Sequence, residues 1–261
     1  MKKLKFTKMV GSGNDFIVIT GKPLGNLAKL ARILCDRKFG IGADGLLLLD
    51  KCKNADLSMR IFNADGSIAR MCGNGARCAA FFSGKPKARL RTPAGVIQAE
   101  VHGAQVKIQL TAPRDIKLDI PIMVNGRPLK VNFINTGVPH VVVFVNGIDG
   151  IDLKSIGRSI RNHPAFSPRG TNVNFVEEKE KNLIRIRTYE RGVEDETLAC
   201  GTGSAAAALI FALKNNLDNL IKVETQSGEI LKIYFQKEDG EFRKVWLEGS
   251  ARIVYKGEYY V

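Results

Sequence analysis

Two stretches of the chain carry the same arrangement of reactive residues. Residues 71–80 read MCGNGARCAA and residues 199–208 read ACGTGSAAAA. In each, a cysteine (Cys72, Cys200) precedes Gly-x-Gly and then small helix-forming residues. The first turn of a helix presents backbone N–H groups and the positive end of the helix dipole. Glycine lets a ligand come close to that backbone, so a carboxylate binds well there. A cysteine at the same point has a lowered pKa and is partly thiolate near neutrality. Each stretch can therefore hold an acid group and set a base beside the carbon that bears it. One thiolate taking an α-proton and a second thiol returning a proton to the opposite face would invert a stereocentre. That is general acid–base catalysis by paired groups in opposite protonation states.

The other cysteines do not share this setting. Cys35 falls within a helical pattern, and Cys78 lies six residues after Cys72, too far into the helix for help from the dipole. These two and Cys52 read as small buried residues. Five cysteines at irregular spacing, with no CxxC and three histidines, argue against a disulfide framework and a structural zinc. Reduced thiols and no metal are expected. Redox use of the two thiols would call for a short CxxC pair in a thioredoxin-like setting, which the sequence lacks.

The elements that must position Cys72 and Cys200 are mostly strands. Short apolar runs bounded by Gly, Asn or Asp occupy 4–10, 15–20, 45–50, 57–62 and three segments between 88 and 110. Further runs lie at 140–145, 172–176 and 183–189, and four more follow residue 219. Helical spacing appears at 26–37 and 152–163, the latter opening on Asp152 as an N-cap. The remaining helices start directly after Cys72 and Cys200. The second of them, 203–216, is apolar almost all round, which requires enclosure by other elements. The long recurrence predicts an ancestral duplication giving an α+β protein of two pseudo-symmetric domains. Each is a mostly antiparallel sheet around a central buried helix. The Pro-containing stretch 111–121 marks the boundary, giving domains 1–113 and 114–250, with a last strand near 251–261 packing back on the first.

A chain of 261 residues suits two such domains, each long enough to bury a core. No apolar stretch is long enough to span a bilayer and no signal-peptide core is present, so a cytoplasmic location is expected. The net charge of +14 raises the possibility of nucleic-acid binding. However, the densest basic run, 85–91, places its lysines and arginines two apart, on one solvent face of a strand, with no aromatic residues interleaved for base stacking. GIGADG at 40–45 matches G-x-G-x-x-G, but a helix precedes it and a strand follows, the reverse of a dinucleotide site.

Read in order, GSGNDF, FGIGADG, FNADGSIARMCGNGARC, NTGVPH, GTNVNFV and YERGVEDETLACGTGSAAA resemble the diaminopimelate epimerase family over essentially the whole chain. These are pyridoxal-independent enzymes of lysine and peptidoglycan precursor synthesis. The resemblance implies an isomerase interconverting LL- and meso-diaminopimelate without cofactor, with its site in the cleft between the two domains. It implies Cys72 and Cys200 as the acid/base pair, and backbone N–H groups of Gly73, Asn74, Gly201 and Thr202 around the reacting carboxylate. Asn14, Asn63, Asn172 and Arg191 would read the distal end of the substrate, and Glu190 would take its ammonium group. His140 and Glu190 would modulate the ionisation of the thiols. A homodimer is also implied, with no nucleic-acid or membrane partner.

The residues alone leave other roles open. Asn63 in NADG is also a turn residue by type, Asn14 is open to the same role, and His140 reads equally as a core histidine. Val138 and Gly45 stand where some members carry Asn and Gln, and the segment before Cys200 is one residue longer than in the shorter forms. Two other functions compete: a related proline-racemase-type epimerase, and a basic nucleic-acid-binding module resting only on net charge.

Overall fold

The structure, a computed structural model, describes residues 3–21, 25–238 and 241–260. The chain forms two compact units, Met1–Gln109 with Gly249–Val261, and Leu110–Glu248.

In the first unit a hairpin of β1 (Lys3–Gly11) and β2 (Asn14–Thr20) leads through α1 (Leu27–Cys35) to β3 (Gly45–Cys52), β4 (Ala55–Asn63) and the short β5 (Ile68–Ala69). Helix α2 (Gly73–Phe82) follows, then β6 (Lys87–Thr92), β7 (Gly95–His102) and β8 (Gln105–Gln109). Successive strands pair antiparallel except where a helix intervenes. There β2 lies parallel to β3, and β4 parallel to β6, because parallel neighbours need a crossover.

The second unit repeats this plan. Strands β9 (Arg114–Val124), β10 (Arg127–Asn135) and β11 (Pro139–Phe144) lead through α3 (Leu153–Arg161) to β12 (Asn172–Glu180), β13 (Leu183–Glu190) and the short β14 (Asp195–Thr197). Helix α4 (Gly201–Lys214), β15 (Leu220–Glu224), β16 (Ile230–Glu238) and β17 (Glu241–Ser250) complete it, the last two residues of β17 already belonging to the first unit. Again the parallel pairs are those spanned by a helix, β11 with β12 and β13 with β15. Strand β18 (Arg252–Tyr260) returns to the first unit and pairs antiparallel with β1, as β9 pairs with β10 in the second. The repeat is thus one of whole topology, and it delivers each cysteine three residues beyond a short strand at the opening of a helix. Val261, included in the expected last strand, lies outside the described residues.

Alternation along the strands sends two kinds of residue to two faces. On one face of the first unit, Ile17, Ile19, Leu46 and Leu48 pack against Leu30, Ala31 and Leu34 of α1. In the second, Val141, Val143, Val173, Phe175 and Tyr189 pack against Leu153 and Ile160 of α3. The opposite faces receive α2 and α4. Helix α4 is buried at every position from Gly203 to Ala212, which explains its run of alanines. The caps agree with the sequence, since Asp152 accepts from Ser155 N at 3.1 Å at the start of α3. In β6, Lys87, Arg89 and Arg91 are exposed while Ala88, Leu90 and Thr92 are buried.

The two units divide between Gln109 and Leu110; the stretch 111–121, read as the boundary, lies just inside the second unit and is mostly strand, with β9 paired to β10 from Arg114 to Val124. Ile116, Leu118, Ile120, Ile122 and Val124 alternate along it, but only Ile122 and Val124 are buried, and Asp115 and Asp119 interrupt it with positive φ. Pro121 is tolerated there because, among the described strands, β9 pairs with β10 alone.

Candidate active site

Cys72 and Cys200 are the N-caps of α2 and α4, with extended backbone at φ −143° and −112°. The first intrahelical bonds are Ala76 N to Cys72 O at 2.9 Å and Ser204 N to Cys200 O at 2.8 Å. The N–H groups of Gly73, Asn74, Gly201 and Thr202 precede those bonds, as the anion-binding reading requires. The glycines have different reasons to be glycine. A Cβ on Gly73 would meet nothing closer than Ile108 Cδ1 at 3.7 Å, leaving room for a ligand. A Cβ on Gly75 would press on Leu47 Cδ2 at 3.2 Å, and one on Gly203 would fall on Asn174 Oδ1 and lie 3.3 Å from Cys200 Sγ. The second glycine of each Gly-x-Gly therefore serves packing.

The first unit carries Asn14, Asn63, Cys72, Gly73 and Asn74. Cys72 is half-buried, and Gly75 N donates to its sulfur at 3.5 Å. Asn74 is buried and donates through Nδ2 to Asn14 Oδ1, while Asn14 Nδ2 donates to Asp44 Oδ2 at 3.1 Å. The other end of Asn74 accepts from Arg77 Nη2 at 3.0 Å. Arg77 is fully buried and also donates to Ser12 Oγ and to Ser250 O. Asp44 shares Arg37 with Asp15, and Lys8 pairs with Asp15 at 2.8 Å. Burial would raise the Asp15 carboxyl, but hydrogen bonds from Arg37, Lys8 and the Asp44 backbone hold it well below the usual carboxylate range. Asn63 is exposed and donates to Ser67 Oγ at 2.9 Å across the β4–β5 turn, so it has the turn role its sequence context allows.

The second unit carries His140, Asn172, Glu190, Arg191, Cys200, Gly201 and Thr202. Because Val141, Val173 and Tyr189 face α3, their neighbours His140, Asn172, Asn174, Thr188 and Glu190 project to the α4 side. Cross-strand register puts His140 beside Asn172 and Asn174 opposite Thr188. Cys200 is buried, and its sulfur lies 3.6 Å from Thr202 Oγ1. Glu190 also hydrogen-bonds Cys200. Burial pushes the Glu190 carboxyl above its ordinary value, against the hydrogen bonds from Thr197 and Cys200.

His140 is fully buried and reaches Cys200 through Thr202, with Nε2 3.0 Å from Thr202 Oγ1. Burial and the charge of Arg191 push its pKa down to about 3, so the ring is neutral. Asn172 accepts from Arg191 N at 2.8 Å and donates to Pro139 O at 3.3 Å, and Arg191 Nη1 donates to Arg169 O at 2.9 Å. Asn172 thus fixes the backbone from which Arg191 projects.

Among the remaining cysteines, Cys35 and Cys78 are buried and Cys52 is half-buried. Burial raises the Cys35 thiol to about 11. Residues that sequence reasoning passed over support the named ones: Ser12, Asp44 and Arg77 in the first unit, Asn174 and Thr188 in the second. Asn174 had a readable signal, standing two residues from Asn172 on one strand and so on the same face. Among the described residues, no three of His, Cys, Asp and Glu gather closely enough to hold a metal ion, and no helix is long and apolar enough to cross a membrane.

Comparison with known proteins places this geometry in a family. The family model described as diaminopimelate epimerase matches residues 6–115 and 132–254. A diaminopimelate epimerase from Hydrogenobaculum sp. is 43% identical over 96% of each chain, and one from Aquifex aeolicus is 43% identical over 97% of each. One from Methanocella arvoryzae is 41% identical over 99% of this chain and 97% of its own. Among solved structures, a phenazine biosynthesis protein of the PhzF family from Bacillus anthracis superposes with a TM-score of 0.75 at 18% identity over 100% of both chains. A hydroxyproline epimerase from Agrobacterium vitis gives 0.72 at 18% identity over 98% of this chain and 92% of its own, a likeness of fold. On its near full-length match to these relatives, the chain belongs to the diaminopimelate epimerase family, and its enzyme class is isomerase.

Proposed function

We propose that the protein interconverts LL- and meso-diaminopimelate by two-base proton transfer at one α-carbon, with Cys72 and Cys200 acting on its opposite faces. The observation that carries this reading is that each unit opens its buried central helix on a cysteine followed by glycine-rich backbone. In one direction a thiolate takes the α-proton: the C–H bond breaks, an S–H bond forms, and the electron pair passes into the substrate carboxylate. The N–H groups of Gly73, Asn74, Gly201 and Thr202 stabilise that charge, as fixed donors aimed at developing negative charge do. The second thiol then gives its proton to the other face and becomes the thiolate. Glu190, bonded to Cys200, accepts a proton from it and so readies the thiolate. Arg191 supplies a forked donor for the distal carboxylate, and Asn14, Asn63 and Asn172 complete recognition of the distal end. The reaction needs only the protein's own groups. The relatives' name further supports a role in lysine and peptidoglycan precursor synthesis, and the reading includes a cytoplasmic homodimer on the family resemblance alone.

Proton NMR in D₂O tests this directly. Reduced protein is incubated separately with LL-diaminopimelate, L-proline and L-glutamate, and each α-proton signal is followed. Loss of the α-proton with appearance of the meso form, for diaminopimelate alone, is the expected result. Exchange on proline or glutamate would move the substrate to the proline-racemase type, and no exchange on any of them would refute the reading.

A further inference from the structure

The polar chain behind Cys200 has an internal logic of donors and acceptors. It begins at Asn174, which is fully buried. Its Nδ2 lies 2.9 Å from Val141 O, and a carbonyl can only accept, so that end of the amide is the NH₂ group. Its Oδ1 accepts from Thr188 Oγ1 at 3.1 Å, which agrees. The second Nδ2 hydrogen points at His140 Nδ1, 3.1 Å away. That ring nitrogen must therefore present a lone pair, and a neutral imidazole with a bare Nδ1 carries its proton on Nε2. Nε2 then donates to Thr202 Oγ1 at 3.0 Å. Thr136 Oγ1 holds the backbone of Thr202 by donating to its carbonyl at 2.9 Å. With its oxygen accepting from the ring, the Thr202 hydroxyl has its hydrogen available for the Cys200 sulfur at 3.6 Å.

We propose that Asn174 is a positioning residue that fixes the His140 tautomer, so that the ring donates to Thr202 and the Thr202 hydroxyl donates to the sulfur of Cys200. The inference rests on the reading of Cys200 as one of the two acid/base groups. It accounts for a hydroxyl at position 202, beyond its backbone role, and for glycine at 203, whose Cβ would displace the Asn174 amide. The sulfur gains a donor that favours its thiolate, while Glu190 hydrogen-bonds the same sulfur and is its proton acceptor in the proposed reaction. Burial, and after it the positive charge of Arg191, keep the imidazole from protonating.

Two measurements without substrate test this, so that a failure of the epimerase reading stays distinguishable from a failure of this one. The first is ring ¹⁵N NMR, made tractable by a total of three histidines. His140 should show a bare Nδ1 and a protonated Nε2. Asn174→Asp, whose carboxylate accepts from Nδ1–H, should protonate Nδ1. A wild-type ring protonated on Nδ1 would overturn the proposal.

The second measurement is the pH profile of iodoacetamide alkylation at Cys200, read by peptide mass spectrometry in a Cys72→Ser background. A hydrogen bond to a charged group corresponds to roughly a tenfold effect or more. Thr202→Val should therefore slow alkylation at neutral pH about tenfold and move the profile upward, and Thr202→Ser should restore it. Asn174→Asp should move the profile the same way. A bare charge effect would add to Thr202→Val, whereas the proposed chain predicts no further shift in the double variant. Thermal melts confirm that each variant is folded. Unchanged profiles in folded Thr202→Val and Asn174→Asp, or additive shifts, would overturn the proposal.

Discussion

The backbone N–H of Gly75 points at the sulfur of Cys72 from 3.5 Å, so this cysteine caps the helix that it opens. Cys200 holds the equivalent place on α4, but its sulfur is directed to Thr202 and Glu190. The two thiols should therefore differ in what their removal does to stability. Cys72→Ala loses an N-cap contact and should destabilise by about 0.5–1 kcal/mol, measured by urea unfolding. Cys72→Ser keeps a capping oxygen and should be near wild type in stability. Both variants should lack epimerisation, and a Cys72→Ala protein with full activity would sink the two-thiol mechanism.

His140 sets an acid limit on stability. Its folded pKa, about 3, lies below the ordinary 6.5. The unfolded chain then binds a proton that the native state does not, so this group's contribution is present above 6.5 and is lost as pH falls towards 3. The slope should approach roughly 1.4 kcal/mol per pH unit within that window. His140→Gln should flatten the dependence of urea midpoint on pH between 6 and 4. An equally steep slope in that variant would assign the acid sensitivity elsewhere.

Glu190 should shape the acid side of the rate profile. Burial raises its carboxyl above the ordinary 4.5, so it remains protonated, and unable to accept from Cys200, at pH values where an exposed glutamate is ionised. kcat should fall as pH drops through that raised value. Glu190→Gln should lower kcat about a hundredfold, in the usual range for losing a proton-transfer group, and remove that limb. A carboxyl raised on folding contributes stability that is lost as pH rises through its folded value. Glu190→Gln should therefore be at least as stable as wild type at neutral pH, which separates a catalytic loss from an unfolding one.

Arg77 should act through Asn74. Its buried guanidinium bonds Ser12, Asn74 and Ser250 at once. Arg77→Met keeps volume but leaves buried polar atoms without their donor, which costs about 1–3 kcal/mol for each unsatisfied group. Denaturant unfolding should show a loss of several kcal/mol, larger than that of any substitution at exposed Arg89. A loss below 1 kcal/mol would mean that the network reforms through water.

Much of this was legible from residues alone, for identifiable reasons. Cysteine followed by Gly-x-Gly and alanines marks a helix start with an enclosed helix behind it, and both cysteines are N-caps. The alternation in β6 gave its exposed basic face. Strand β9 does alternate, at Ile116, Leu118, Ile120, Ile122 and Val124, but Pro113 and Pro121 in the same stretch read as boundary signals and masked it. Strands β5 and β14 escaped because two or three residues cannot show alternation. The support behind the site was hidden by residue type. A lone arginine in a helix reads as solvated, yet Arg77 is fully buried. The roles of the glycines were legible only in part, since spacing does not tell Gly73, open to a ligand, from Gly203, closed by Asn174.

The return of β18 to β1 has a consequence for the order in which the protein matures during translation. The second unit is continuous in sequence, so it can close as soon as Glu248 leaves the ribosome. The first unit waits for Arg252–Tyr260, because until they emerge β1 lacks its outer neighbour. Domains generally fold as units during synthesis, the N-terminal one first. Here the half that carries Cys72 is synthesised first and completed last, and the half that carries Cys200 is finished before it.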